Sequence, residues 1–218
     1  MHYRVNAGFV RGNHWIQDAE QGGGRIVGEV CHFVDLLSFI TDSIPVRVAA
    51  SPLSNNSRYC DDNVIISIGF ANGSQGNIVY AANGDTLISK ERLEIFGAGS
   101  AALLDDFRSL VLARNGQSRK FRSLLQQDKG HRGEWQAFSR ALLTGGPAPI
   151  SLEQLVSTSL ATFQIVNSLR CNEPLQVDTD AFIANALAQQ LASGRTSRGE
   201  PREVMKKQEV NDVASAGV

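Results

Sequence analysis

The sequence has little that would mark a secreted, membrane-bound or nucleic-acid-binding protein. It has three cysteines in 218 residues, far apart and without C-x-x-C spacing, so we expect neither a disulfide framework nor a zinc finger. A formal net charge of −1 gives no electrostatic footprint for nucleic acid. No apolar run is long enough to cross a bilayer, and the first residues lack the regions of a signal peptide. We therefore expect a soluble, cytoplasmic protein that binds neither nucleic acid nor membranes.

The hydrophobic pattern changes its period along the chain. Between residues 45 and 125, apolar residues alternate with polar ones in runs rich in β-branched and aromatic side chains, which is typical of strands. Asn72-Gly73 and Asn115-Gly116 each separate two such runs and predict hairpins. The short connections leave no room for the helical crossovers that parallel strands require, so the pattern predicts an antiparallel meander.

Helical spacing lies on both sides of this region. Apolar residues three and four apart predict a helix from about Ile26 to Thr41, and two more at residues 131–143 and 151–169. Ser151 followed by Gln154 is typical of a capping box. The sequence therefore predicts an α+β fold with a large, mostly antiparallel β-sheet and helices packed on one face.

The same patterns divide the chain into a main domain and a tail. We expect residues 1–178 to form the α+β domain and residues 179–193 to form an additional helix. Residues 194–218 are polar, nearly free of aromatic side chains and without periodicity, so they predict a disordered tail.

The most unusual segment is GGGRIVGEVCHFVD, residues 22–35. At about 100° per residue, one polar arc of this helix contains Arg25, Gly28, Glu29, His32 and Asp35. The glycines predict that a substrate or a second chain approaches the backbone at the helix N-terminus. Glu29 and His32 are neighbours on a helix surface, and imidazole suits general acid–base catalysis. A solvated ion pair on a surface helix is the alternative interpretation.

This segment resembles the G-G-G-x-x-x-D-x-x-x-H-x-x-D motif of the Gfo/Idh/MocA oxidoreductases. The resemblance extends upstream to YRVNAGFVRGNHW and downstream to HRGEWQAFSRALLTGG, and covers Tyr3 to Val177. It corresponds to the family's C-terminal, substrate-binding domain. It implies an antiparallel sheet whose helix-covered side faces the substrate and whose open face builds homo-oligomers.

The resemblance also implies a cofactor, NAD or NADP, bound by a preceding domain. Nothing before Tyr3 matches such a domain, and Gly97–Ala102, which fits G-x-G-x-x-A, is expected to be a hairpin turn because no βαβ unit surrounds it. The implied protein is a separated or truncated half that works with a separate or fused dinucleotide-binding domain. We therefore expect no cofactor site in this chain alone.

Catalytic roles follow from the resemblance. His32 takes the place of the family histidine that moves the hydroxyl proton, while Gly28 stands where the family has an acidic residue and Glu29 is the candidate replacement. Substrate contacts are expected from Arg4, Asn6, His14, Trp15, Gly28, Lys129 and His131. The implied function is the substrate-binding and proton-transfer domain of an NAD(P)-dependent sugar or polyol oxidoreductase.

Two other functions remain open. The chain could be a non-catalytic oligomerisation module that uses the open sheet face. Glu29-x-x-His32 and His131-x-x-Glu134 also resemble halves of a carboxylate–histidine cluster in a metal-dependent enzyme. Such a cluster needs four facing helices, which this chain does not supply, so we assign no metal ligands.

Overall fold

The structure, a computed structural model, describes residues 1–18, 20–53, 62–123 and 127–194. Contacts divide the chain into one unit of Met1–Asp180 and a second unit that begins at Ala181. A helix occupies Thr179–Gly194. The rest of the predicted tail, from residue 195 onwards, lies outside the described residues. Within the described ranges, no helix is both long enough and apolar enough to span a membrane.

The described strands form one nine-stranded sheet in the order β8-β7-β6-β5-β1-β4-β3-β2-β9. Their bounds are β1 His2–Asn6, β2 Pro45–Pro52, β3 Asn63–Phe70, β4 Gln75–Ala81, β5 Glu91–Gly97, β6 Ser100–Asp105, β7 Ser109–Arg114, β8 Gln117–Arg122 and β9 Leu175–Gln176. All neighbouring strands are antiparallel except β1 and β4, which run parallel. The predicted fold class is confirmed, but the sheet is not a pure meander, because β1 lies between β4 and β5.

Tight turns join the strands where the sequence predicted them. Asn115 and Gly116 both have positive φ angles, 52° and 70°, as the two-residue turn between β7 and β8 requires. Gly73 has φ 85° in the turn between β3 and β4. Ala98 and Gly99, with φ 47° and 70°, form the turn between β5 and β6. The G-x-G-x-x-A segment is therefore a hairpin, as expected.

Four α-helices are described: α1 Cys31–Thr41, α2 His131–Thr144, α3 Leu152–Cys171 and α4 Thr179–Gly194. A π-helical turn, Ile26–Val30, leads directly into α1. Ser151 and Gln154 form the predicted capping box at the start of α3. In α2, by contrast, no described side chain is buried.

The core lies between one face of the sheet and the helices α1 and α3. Tyr3, Ile66 and Ile78 from the strands are at most 1% exposed, as are Leu37 from α1 and Ile165 from α3. Since side chains alternate along a strand, their neighbours point to the opposite face, which we call the open face. Ile65 and Phe96 lie there and are 43% and 71% exposed.

Candidate functional site

The helix that carries His32 does not begin with regular α-helical geometry. The π-helical turn Ile26–Val30 follows an i→i+5 bonding pattern, so positions along it rotate by less than the about 100° per residue of an α-helix. The predicted polar arc is consequently split. Arg25 is 3% exposed, whereas His32 and Asp35 are exposed.

The glycine at the entrance of this helix accommodates the chain's own backbone. A Cβ atom at Gly22 would lie 2.4 Å from Cα of Ile16 and 2.6 Å from the carbonyl oxygen of Trp15, which no structure tolerates without moving. A Cβ atom at Gly28 would lie 3.4 Å from Cδ1 of Ile16, an ordinary contact. At Gly22, residues 15 and 16 already occupy the space that the glycine run was predicted to leave for a substrate or second chain, whereas a Cβ atom at Gly24 would have nothing within 4 Å.

Arg25 joins the end of β1 to the π-helical turn. Its Nη1 and Nη2 donate to the carbonyl oxygens of Gly8 at 2.7 Å and Ala7 at 3.3 Å. Its Nε and Nη2 lie 3.0 and 2.9 Å from Oε1 of Glu29, and its guanidinium carbon lies 5.2 Å from the centre of the Tyr80 ring. Sequence reasoning placed Arg25 on the polar arc and missed this buried role.

A second carboxylate shares the Arg25 charge. Asp62 is fully buried, and its Oδ2 lies 3.7 Å from Nη1 of Arg25 and accepts from Nε2 of Gln17 at 3.2 Å. Lys90 lies at the rim, with Nζ 3.6 Å from Oε2 of Glu29. Glu29 thus lies between two cations that differ in exposure. The side chain of Lys90 is 46% exposed, and that of Arg25 is only 2% exposed.

His32 contacts the backbone of Glu29 and not its carboxylate. Nδ1 of His32 lies 3.1 Å from the Glu29 carbonyl oxygen and 3.4 Å from Sγ of Cys31. A carbonyl oxygen only accepts hydrogen bonds, so in the neutral ring this contact favours the tautomer with the proton on Nδ1 and a lone pair on Nε2. The structure therefore brings Glu29 and His32 together, but the carboxylate of Glu29 is turned towards Arg25.

Two ionisable neighbours flank the histidine. Burial raises the pKa of the Cys31 thiol, which keeps it protonated. Burial also raises the pKa of Asp35, while the charge of His32 opposes that rise. Asp35 is consequently the carboxylate whose charge responds to the protonation of His32.

The structure does not bring Arg4 and Asn6 to His32. Tyr3 and Val5 point from β1 into the core, so strand alternation places the side chains of Arg4 and Asn6 on the open face. There, Nη1 of Arg4 donates to the carbonyl oxygen of Ser89 at 2.5 Å, and Nδ2 of Asn6 donates to that of Asp85 at 2.7 Å. Both residues hold the connection between β4 and β5, whose last residue, Lys90, contacts Glu29.

The charge of Lys129 is already engaged within the fold. Its Nζ donates to Oε1 of Glu91 at 2.6 Å and lies 5.4 Å from the centre of the Phe107 ring. The hydroxyl of Tyr3 donates to the other oxygen of Glu91, and the Tyr3 ring packs edge-on to Phe33 of α1 at 5.0 Å. Lys129 therefore binds a buried group of the core, on the helix-covered face of the sheet.

The remaining predicted contacts are exposed. Nδ1 of His14 accepts from the backbone N–H of Ile16 at 3.3 Å and caps the short 3₁₀ turn Trp15–Gln17, where Trp15 is 59% exposed. Because Ile16 packs against Gly28, this turn lies beside the π-helical turn. His131, by contrast, has a side chain that is 83% exposed, 3.9 Å from Glu134 on α2.

The described residues do not supply the ligands of a metal cluster. In the ranges that the structure covers, no three His, Cys, Asp or Glu side chains converge around one point. The Glu29 carboxylate is bound to Arg25, so the Glu29–His32 pair offers no joint ligand set. The metal-dependent alternative therefore lacks a site in this part of the chain.

A dinucleotide such as NAD is bound at a Gly-rich turn between a parallel strand and a helix. The parallel pair among the described strands is β1 and β4, and the chain between them passes through α1, β2 and β3, not through a crossover helix alone. The glycine motif at residues 97–102 forms a hairpin. The described residues therefore contain no Gly-rich strand–turn–helix unit of this kind.

Comparisons with known proteins agree with this fold. The family model described as the GFO/IDH/MocA C-terminal domain matches residues 1–101. A search of curated proteins finds no match to the chain. Solved structures, however, align along most of its length.

Three of these structures illustrate the similarity. An aldose-aldose oxidoreductase from Caulobacter crescentus, complexed with glycerol, has 15% identity and a TM-score of 0.65, over 80% of this chain and 55% of that one. A levoglucosan dehydrogenase in complex with NADH and levoglucosan has 18% identity and a TM-score of 0.67, over 82% and 59%. An NAD binding oxidoreductase from Klebsiella pneumoniae has 15% identity and a TM-score of 0.67, over 82% and 58%.

At these identities the likeness shows a shared fold. The chain spans little more than half the length of each of the three structures, between 55% and 59%. The family match includes β1, the π-helical turn, α1 and the strands β2 to β5. Residues 1–101, somewhat less than half of the chain, therefore match the GFO/IDH/MocA C-terminal domain family.

Proposed function

We propose that this chain is the substrate-binding and proton-transfer part of an NAD(P)-dependent sugar or polyol oxidoreductase. The observation that carries the proposal is the exposed His32 ring, whose Nδ1 lies 3.1 Å from the Glu29 carbonyl oxygen and whose Nε2 is left with its lone pair. Further support comes from relatives in fold that were crystallised with glycerol, or with NADH and levoglucosan.

In the proposed reaction, Nε2 of His32 takes the proton of a substrate hydroxyl as its carbon is oxidised, and returns it in the reverse direction. Asp35, one turn further along α1, stabilises the imidazolium that forms, since the two charges attract. Lys90 at the rim presents N–H donors to further hydroxyl groups. The hydride acceptor would be a nicotinamide held by a dinucleotide-binding domain.

The test is turnover of the protein together with its dinucleotide-binding domain, using a panel of sugars and polyols with NAD and NADP. His32→Ala should lower kcat by roughly 10²- to 10⁴-fold and leave the melting temperature unchanged, because the ring is exposed. His2→Ala is the matched control, at an exposed position of β1 outside the predicted site, and should keep full activity. Full turnover by His32→Ala would refute the proposal.

We also propose that the open face pairs two copies of the chain, as an assembly function that does not depend on catalysis. Phe96 and Ile65, 71% and 43% exposed on that face, are apolar groups that a partner would cover. Phe96→Glu should convert a dimer to a monomer in light scattering. Leu87→Glu, at a residue that is 92% exposed but lies in a loop, should not. A monomeric unsubstituted chain at tens of micromolar would contradict the proposal.

A further inference from the structure

We infer that Arg25 is the positioning residue of His32 and determines which ring nitrogen is free to take a proton. Its catalytic meaning rests on the proposed function, whereas the ring tautomer is a property of the folded chain alone. The inference depends on three contacts, which run from the His32 ring to the Glu29 carbonyl, from Glu29 to Arg25, and from Arg25 to β1 and Asp62.

The first contact fixes the tautomer. Nδ1 of His32 lies 3.1 Å from the Glu29 carbonyl oxygen. A deprotonated Nδ1 would direct its lone pair at that oxygen, which is repulsive, so the neutral ring carries its proton on Nδ1. The Cys31 sulfur lies 3.4 Å from the same nitrogen and, as a weak acceptor, does not oppose a proton there. An unconstrained histidine favours the opposite tautomer, with the proton on Nε2.

The second contact fixes the carbonyl. Glu29 belongs to the π-helical turn Ile26–Val30, which lacks the regular bonding of an α-helix. Its carboxylate is held by two nitrogens of Arg25, at 3.0 and 2.9 Å. We expect this contact to restrain Glu29 and with it the backbone carbonyl, which also accepts from the backbone N–H of Cys31.

The third set of contacts anchors Arg25 itself. It donates to the carbonyl oxygens of Gly8 and Ala7 just after β1, at 2.7 and 3.3 Å. Asp62, fully buried, balances its charge at 3.7 Å. A lysine at position 25 would keep the charge but could not form this fork of directed bonds.

The experiment measures the tautomer directly. Long-range proton–nitrogen correlation spectra of the ¹⁵N-labelled chain, at a pH where histidine rings are neutral, report which nitrogen carries the proton. The chain has four histidines, and the signals that disappear in His32→Gln identify His32. We expect the Nδ1–H form of His32 in the unsubstituted chain, and a shift towards the Nε2–H form in Arg25→Lys.

Two further variants make the test decisive. Cys31→Ala removes the other neighbour of Nδ1 and should leave the Nδ1–H form intact. Glu29→Ala keeps the backbone carbonyl but removes its anchor, and should shift the tautomer as Arg25→Lys does, so it replaces that variant if the latter does not fold. An Nε2–H form in the unsubstituted chain overturns the inference, as does an Nδ1–H form in a folded Arg25→Lys or Glu29→Ala.

The outcome is distinguishable from that of the proposed function. If His32→Ala retains turnover while the spectra show the Nδ1–H form, the proposed function fails and the positioning role of Arg25 stands. If His32→Ala loses turnover but Arg25→Lys leaves the tautomer unchanged, the proposed function stands and the positioning role of Arg25 fails. When both hold, Arg25→Lys should lower kcat at least tenfold while KM changes less than twofold, because it affects the base and not the substrate contacts.

Discussion

Nζ of Lys129 lies 2.6 Å from Oε1 of Glu91, a residue that is 5% exposed. The other carboxylate oxygen accepts from the hydroxyl of Tyr3. A buried carboxylate needs such partners because water no longer solvates it. The pair thus connects the segment before α2 to the core, over 38 residues of sequence.

Lys129→Met should therefore destabilise the chain. The substitution keeps much of the aliphatic side chain but leaves Glu91 with Tyr3 as its described partner. Because Lys129 is 34% exposed, water will partly replace it, and we expect a loss of about 1–3 kcal/mol in the free energy of unfolding. Urea denaturation measures the loss. Lys120→Met, at an exposed position on β8, should change stability by less than about 0.5 kcal/mol, and equal losses in the two variants would refute the assignment.

Gly22, before the π-helical turn, and Gly28, inside it, should respond in opposite ways to alanine. Gly22→Ala places a methyl group 2.4 Å from Cα of Ile16, and relieving this overlap should cost about 1–3 kcal/mol. Gly28→Ala meets only the end of the Ile16 side chain at 3.4 Å, and a better helix former there should be neutral or stabilise by up to about 1 kcal/mol. Thermal unfolding compares them. A destabilised Gly28→Ala together with an unaffected Gly22→Ala would contradict the described packing.

Ser168→Ala should weaken the contact between α3 and the edge of the sheet. The Oγ of Ser168 accepts from the backbone N–H of Ala50 at 3.0 Å and donates to the carbonyl oxygen of Glu173 at 2.6 Å. Its loss leaves buried polar groups without these bonds and should cost about 1–3 kcal/mol. Ser159→Ala removes an exposed hydroxyl from the same helix and should be close to neutral in the same denaturation assay. Indistinguishable variants would show that the Ser168 bridge contributes nothing.

Tyr3 and Tyr80 should not ionise in the folded chain. Burial raises the pKa of both, and the Glu91 carboxylate raises that of Tyr3 further, whereas Arg25 partly offsets the rise at Tyr80. Since unfolded tyrosines ionise near pH ~10, the unfolded chain releases these protons first, and stability should fall as pH rises above that value. In Tyr59→Phe, which keeps only Tyr3 and Tyr80 of the three tyrosines, tyrosinate absorbance should show no reversible ionisation before cooperative unfolding. Reversible ionisation of either tyrosine would contradict this.

Local signals explain why much of the fold was predictable. The turns at Asn72-Gly73 and Asn115-Gly116 depend on residues that tolerate positive φ, and the structure has them there. The capping box at Ser151 is likewise a property of four consecutive residues. Such features depend on a few neighbouring residues, so the local sequence is enough to predict them.

The candidate site was less predictable, because its geometry depends on distant partners. A helical wheel assumes regular α geometry, so it placed Arg25 and His32 on one polar arc when the π-helical turn separates them. The approach of Asp62 to Arg25 joins residues 37 positions apart, which no spacing rule reveals. Lys129 was expected to contact the substrate. Nothing in the strand pattern around Glu91 indicates that this carboxylate is buried and binds the lysine.

The first strand has a mechanical consequence for the whole domain. β1 alone lies between β4 and β5, so without its five residues the sheet would divide into two independent ribbons, β9-β2-β3-β4 and β5-β6-β7-β8. The carbonyl groups that follow β1 also receive the hydrogen bonds of Arg25. A force that displaces β1 would therefore separate the two ribbons and loosen the π-helical turn that precedes His32 at the same time.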